Sequence, residues 1–284
     1  MRAPSRIAIL LGLAALSSTA AGQFSTGVHL VEVYATAADA RGRLVTDLVA
    51  DDFVVREDGE VQAVTAFAAG DVSLSVALSI DHSWSMAGER LRMAQSAAHV
   101  FLGQLRPTDD AMLIGVSSDV EVLARLSRDR VRQHEAVESL ATWGTTRLYD
   151  SVIAAVGYLY DTRGRRALVI LSDGSDRYSD ATAEDALRAV RAAEVLVYPV
   201  VVGPTAPAAF SELARLSGGR AFHVEARKLS TIFRDIAHEL RHQYLLGYIP
   251  RKGISGGGEW RRIEVEVKRP GVHVRAREGY VARQ

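Results

Sequence analysis

The chain has 284 residues, 48% hydrophobic and 24% charged, and its 34 Lys and Arg balance 34 Asp and Glu. That composition is globular, long enough for a sizeable core plus an accessory module, and its zero net charge argues against a basic nucleic-acid face. Cysteine is absent, which excludes thiol catalysis, Cys-based zinc sites, a lipid-modified Cys tether and disulfide staples; core packing, metal or partners must hold the fold.

Residues 1–22 read as a secretory signal peptide. Arg2 and Arg6 precede the apolar run Ile7 to Leu16, followed by small residues to Gly22, the order that export signals take, with cleavage near Ala21 or Gly22. An apolar run of about ten residues is too short to span a bilayer as a helix. The expected mature chain is therefore exported, periplasmic or extracellular, and has no membrane span. Loss of Arg2 and Arg6 leaves it slightly acidic.

Residues 23–70 read as β-structure. Val28, Leu30, Glu32, Tyr34 and Thr36 share one face by period two, with His29, Val31 and Val33 on the other. Asp39 to Gly42 is turn-like. Phe53 to Val55 and a strand from Val61 to Phe67 flank the hairpin signal Asp58-Gly59.

Residues 71–243 alternate strands and helices. The apolar run Ser73 to Ile80 leads, past Gly88, into an amphipathic stretch from Glu89 to Leu105. Ala111 to Val116 and Val120 to Leu123 predict a hairpin. Asp129 or Ser127 caps a helix to Leu140, and Leu148 to Tyr160 is helical by apolar spacing. A buried strand over Arg166 to Leu171, a helix from Thr182 to Ala193 and a strand over Val195 to Val202 follow. A helix from Ala208 to Leu216 stops at Gly218-Gly219, and a last helix spans Leu229 to His242. Such alternation, with continuous apolar strands, predicts an α/β fold with a doubly wound, mostly parallel sheet covered on both faces. Arg163, Arg165 and Arg166 read as a solvated turn.

Residues 244–284 return to β. Ile263, Val265 and Val267 alternate with charged residues, Pro270-Gly271 turns, and Val272, Val274 and Ala276 alternate again, which predicts a hairpin with one buried face. Gly253 to Gly258 is a glycine-rich loop without phosphate-binding context. The segments 23–70 and 244–284 flank the α/β block and are expected to form one small β module.

Chemistry concentrates where the Ser73–Ile80 strand meets its helix. Asp81, Ser83 and Ser85 alternate there, at the carboxyl edge where open α/β sheets bind ligands. A carboxylate with two hydroxyls suits a hard cation such as Mg²⁺. Thr146 and Asp173 fall at the same edge.

These residues resemble the von Willebrand factor type A family. Asp81-His82-Ser83-Trp84-Ser85-Met86 is similar to its Asp-x-Ser-x-Ser motif, Gly144-Thr145-Thr146-Arg147-Leu148-Tyr149-Asp150 to its second metal-site segment, and Leu171-Ser172-Asp173-Gly174 to its third. Order and spacing match as well. Asp51-Asp52-Phe53, Glu57-Asp58-Gly59, Tyr244 to Tyr248 and Arg277 to Tyr280 look like a bacterial exported group of related proteins. The resemblance implies a Rossmann-like fold and a metal-ion-dependent adhesion site. In that site Ser83, Ser85 and Thr146 supply hydroxyl oxygens, and Asp81 and Asp173 act directly or through water. Mg²⁺ or Mn²⁺ would keep a coordination corner for a carboxylate from a protein partner. Ligand binding in relatives is coupled to movement of the terminal helix, here Leu229 to His242.

Around this set, His82 is expected to point away from the ion, and Thr145 is an alternative to Thr146. Trp84, where a small residue is commoner, is expected to pack on its loop. Asp150 is expected to cap or pair at its helix, and Asp176 and Asp180 to solvate theirs. A non-enzymatic binding module is the leading reading. A metal-dependent hydrolase is weaker, because adjacent Ser83 and His82 point to opposite faces of a strand and Gly-x-Ser-x-Gly and His-Glu-x-x-His are absent. The pair His238 and His242 has zinc spacing but no evident third ligand. A structural scaffold with a non-functional metal site is disfavoured because all five positions carry oxygen.

Overall fold

The computed structural model describes residues 30–70, 72–253 and 258–282. The expected signal peptide, the start of the first strand and most of the Gly253–Gly258 loop lie outside the described residues.

Strand β1 (Val31–Asp39) buries Val31, Val33, Ala35 and Ala37 by period two. β2 (Phe53–Glu57) turns through Asp58-Gly59 into β3 (Glu60–Gln62). Both turn residues have positive φ, 49° and 86°, the type I′ pattern that Asp-Gly favours. The expected single strand Val61 to Phe67 is interrupted at Ala63; β4 (Val64–Ala69) leaves its neighbours and joins another sheet.

The α/β layer begins with β5 (Leu74–Asp81), buried at every residue, and α1 (Glu89–Leu102), which stops at Gly103, short of the expected Leu105. The expected hairpin is β6 (Asp110–Val116) and β7 (Val120–Ser127). Asp129 caps α2 (Arg130–Glu138) by accepting from the Arg132 amide. There follow α3 (Leu148–Leu159), β8 (Arg165–Ser172), α4 (Ala183–Ala193) with a Thr182–Asp185 capping box, β9 (Leu196–Val201), and α5 (Ala208–Ser217), which ends at left-handed Gly218. The short β10 (Phe222–His223) and α6 (Leu229–Arg241) complete the layer.

The six-stranded sheet runs β10-β9-β8-β5-β6-β7, with only β7 antiparallel. Val76, Leu78 and Ile80 of β5 face α1, α2 and α6; Ala77 faces the side covered by α3, α4 and α5. Burial on both faces explains why β5 is buried along its whole length, with only the small hydroxyls of Ser75 and Ser79 among its apolar residues before Asp81. β5 connects onward to β6 while β8 connects to β9, so strand order reverses between β5 and β8. That reversal opens a crevice at their carboxyl ends, where ligands bind in such sheets.

The flanking segments pair with one another. β11 (Tyr244–Tyr248) lies between β1 and β4, and the chain adds β12 (Trp260–Val267), β13 (Val272–Arg275) and β14 (Gly279–Val281). One sheet runs β13-β1-β11-β4 and the other β14-β12-β2-β3, around a shared core that includes Val33, Val55, Leu246 and Ile263. The expected β12–β13 hairpin does not form. Pro270-Gly271 carries the chain across the sandwich: β12 pairs with β2 and β13 with β1. Alternation shows that a strand has one buried face, but both sheets of a sandwich offer that face, so it does not name the partner strand.

Arg165 also departs from expectation. It is 1% exposed, its guanidinium lying 5.4 Å from the Tyr34 ring centroid, and Arg166 pairs with Glu194 at 3.3 Å. The basic turn is therefore part of the contact between the sandwich and the sheet. Glu239 of α6 seals that contact further, accepting from Tyr198 of β9 at 2.7 Å, Thr36 of β1 at 3.4 Å and Arg275 of β13.

Candidate metal centre

The end of β5 delivers Asp81 to the crevice, 1% exposed. Its Oδ1 accepts from the Ser83 amide at 2.9 Å and its Oδ2 from the Ser172 hydroxyl, at the end of β8, at 2.6 Å. Ser83 is buried and Ser85 exposed, with their hydroxyl oxygens 3.0 Å apart. The short 3₁₀ turn Trp84–Met86 sets that spacing, and Met86, fully buried in the core, holds the turn down.

Thr146 is 2% exposed, and its carbonyl accepts from the amides of Arg177 and Tyr178, both at 3.1 Å. Thr145 turns elsewhere, its amide and hydroxyl meeting Ser118 Oγ at 3.0 and 3.3 Å. This engagement favours Thr146 over Thr145 as the free hydroxyl. Asp173 follows β8 directly, is 7% exposed, and accepts from the Ser175 amide at 3.0 Å through Oδ1.

The three segments are knitted together by backbone. Trp84 donates its amide to Gly144 at 3.2 Å, and Trp143 donates to His82 at 3.1 Å. Asp176 accepts from the Leu148 amide at 2.8 Å and the Ser179 hydroxyl at 2.6 Å, tying the Asp173 loop to the start of α3. Asp150 accepts from the Asp180 and Ala181 amides at 3.0 and 2.9 Å, and Arg147 bridges Asp150 and Asp180. Asp150 pairs at its helix as expected, Asp176 is a brace where solvation was expected, and the Asp180 side chain, 87% exposed, lies in solvent apart from its contact with Arg147.

His82 turns away: its Nδ1 lies 2.7 Å from the Ala141 carbonyl. Among the described residues no histidine ring hydrogen-bonds a hydroxyl, so no Ser-His pair is preassembled. His242 bonds the His238 carbonyl, which turns that pair on itself. Trp84 does not pack on its loop; its side chain is 64% exposed, because Met86 takes the inward place.

Burial holds the Asp81 carboxyl above the ordinary carboxylate range, and the negative charge of nearby Asp173 adds to this against the hydrogen bonds from Ser172 and Ser83. Among the described residues, no Lys or Arg is ion-paired to either carboxylate. Nor does any group of three His, Cys, Asp or Glu form a ligand set; the site has two carboxylates and otherwise hydroxyls. That donor set fits a hard cation. The Ser83 and Ser85 hydroxyls are hydrogen-bonded to each other at 3.0 Å, so the two oxygens share one small space beside Asp81.

Sequence reasoning overlooked Ser172 and Ser118. Ser172 was visible as a hydroxyl ending an apolar strand, but its bond to Asp81 depends on β5 and β8 being neighbours. Ser118, in the β6–β7 turn, carries no local signal for its bonds to Thr145.

Residues 76–175 match the von Willebrand factor type A domain family. The solved structure of a von Willebrand factor type A protein from Catenulispora acidiphila superposes with a TM-score of 0.56 at 15% identity, covering 82% of this chain and 74% of that one. Proximal thread matrix protein 1 from the mussel byssus gives 0.53 at 12% identity, over 73% of this chain and 50% of its own. The vWF domain of the type V pili tip protein Mfa5 from Porphyromonas gingivalis gives 0.50 at 11%, over 59% and 94%. No curated protein matches the chain in sequence. The matched stretch, residues 76–175, contains all three motif segments, and these are the loops assembled at this edge.

Proposed function

We propose that the protein is an exported, non-enzymatic interaction module that binds a protein partner through a Mg²⁺ or Mn²⁺ ion. Ser83, Ser85 and Thr146 would hold the ion by hydroxyl oxygens. Asp173 would act directly or through water. Asp81, with both oxygens already engaged, would act through water. Bound there, the ion supplies a Lewis-acidic corner for a partner's carboxylate, and hydroxyl ligands leave it enough positive charge to attract one.

The observation that carries this reading is a hydrogen-bonded pair of hydroxyls, Ser83 and Ser85, beside two buried carboxylates that have no basic partner among the described residues. Such carboxylates are costly unless a cation compensates them. Export is supported by the order of basic, apolar and small residues in 1–22. The similar solved structures include a pilus-tip protein and a thread matrix protein, which agrees with a role in assembly outside the cytoplasm. We also take segments 23–70 and 244–284 as one β unit carrying the α/β domain, 71–243, between them.

Thermal unfolding with and without millimolar Mg²⁺ or Mn²⁺ tests the site. A melting temperature that rises with metal, falls back with chelator and is insensitive to metal in Asp173→Ala is expected. Metal-dependent turnover of ester, peptide or phosphate substrates, lost in Ser83→Ala, would instead establish the hydrolase.

A further inference from the structure

Each loop of the candidate centre ends in an exposed aromatic side chain: Trp84 after β5, Trp143 before Thr146, and Tyr178 after β8. They are 64%, 43% and 61% exposed, whereas most large apolar residues among those described are buried or partly buried. Their backbones are nevertheless fixed. Trp84 donates to Gly144, Trp143 to His82 and Tyr178 to Thr146, at 3.1–3.2 Å, so every aromatic is anchored to a neighbouring loop of the site. The His82 ring also meets the Trp143 ring edge-on, with centroids 6.4 Å apart. Arg177, beside Tyr178, is exposed and has no ion-pair partner among the described residues; the neighbouring Arg147, by contrast, is held by Asp150 and Asp180.

Trp, Tyr and Arg are enriched among the few residues that dominate binding energy in protein interfaces. Rigid backbones lower the ordering cost of using them. From this juxtaposition we infer that Trp84, Trp143, Tyr178 and Arg177 form a docking collar around the metal centre. Its occupant is an exposed protein segment with an Asp or Glu flanked by apolar side chains. The carboxylate goes to the centre, the flanks pack on the aromatic rings, and Arg177 takes a second acidic group. A sugar ligand would gain little from the lone guanidinium, whereas an acidic peptide uses both parts of the surface. The inference rests on the metal-site reading for the destination of the carboxylate, but not for the collar itself.

The test is a synthetic peptide array with a central Asp, Glu or Asn flanked by Phe, Leu or Ser, probed in Mg²⁺ with the mature chain and with Trp84→Ala/Tyr178→Ala. The wild-type chain is expected to retain acidic peptides with apolar flanks, and the double variant to bind them at least tenfold more weakly with an unchanged Mg²⁺ melting shift. Asp173→Ala is expected to lose the preference for Asp over Asn but keep the preference for apolar flanks. Selection of the same peptides by the double variant overturns the collar. So does a normal Mg²⁺ shift with no peptide retained, or retention of glycans from a parallel array in place of peptides. Absence of the Mg²⁺ shift while apolar flanks are still selected sinks the metal reading and upholds the collar.

Discussion

Ser172 at the end of β8 donates its hydroxyl to Asp81 at the end of β5 across 2.6 Å. This bond closes the crevice where strand order reverses and fixes one oxygen of the most buried carboxylate in the candidate centre. It also bears on how the centre is best disrupted. Asp81→Ala would leave the Ser172 hydroxyl and the Ser83 amide without an acceptor, at a cost of about 1–3 kcal/mol for each buried group left unpaired. Asp81→Asn keeps an acceptor and the shape while removing the charge. We expect it to fold with a melting temperature close to that of the metal-free wild type and to lose most of the Mg²⁺-induced rise. Differential scanning fluorimetry over a Mg²⁺ titration checks this.

The sandwich has an ion pair at its centre. Glu57 of β2 meets Arg261 of β12 at 2.9 Å and accepts from Tyr248 of the opposite sheet at 2.7 Å and Tyr280 of β14 at 3.0 Å. Removing one member strands the others in an apolar core, so Glu57→Ala is expected to destabilise by about 3–5 kcal/mol in a denaturant titration. Burial, and then the charge of Glu57, push the Tyr280 phenol up to about 12. A phenol whose folded pKa is raised contributes stability that is complete below its ordinary value of about 10 and is lost as pH rises through about 12. An alkaline loss of stability in that window, reduced in Tyr280→Phe, is the expected signature.

On the helical face, His99 of α1 and His134 of α2 stack with their Nδ1 atoms 2.6 Å apart. One ring must be neutral to accept. Burial, then the neighbouring His99, hold His134 below the ordinary histidine range. A depressed histidine contributes stability that is present above its ordinary value, about 6.5, and is lost as pH falls through its folded value. Stability measured by urea unfolding is therefore expected to decline on acidification below about pH 6.5, and less steeply in His134→Gln.

Glu239 ties α6 to the sheet and to both β1 and β13 of the sandwich. The resemblance noted in the sequence implies that this terminal helix shifts on ligand binding; the Glu239 clamp opposes such a shift. Hydrogen exchange across Leu229–Arg241 is expected to be unchanged by Mg²⁺ in the wild-type chain. Glu239→Gln, which removes the charge facing Arg275, is expected to raise exchange in that helix and leave the metal shift intact. Metal-dependent exchange in the wild-type helix would show that the clamp yields.

Much of this protein is written locally. The largely apolar run of β5, the Thr182 capping box, the Asp129 cap, the Asp58-Gly59 turn and left-handed Gly218 each act over a few residues, so periodicity and turn chemistry suffice to locate them. The first segment of the candidate site belongs to the same class, because Asp81, Ser83 and Ser85 lie within five residues, at the end of β5 and in the turn that follows it. What local pattern could not decide was partnership. The sequence shows that β12 and β13 each have one buried face, but only the tertiary structure sends them to opposite sheets. Likewise it alone brings Ser172 to Asp81, buries Arg165 against Tyr34 and turns Trp84 outward by seating Met86. These contacts join residues far apart in the chain, and their energies depend on which surfaces the whole fold has left to meet.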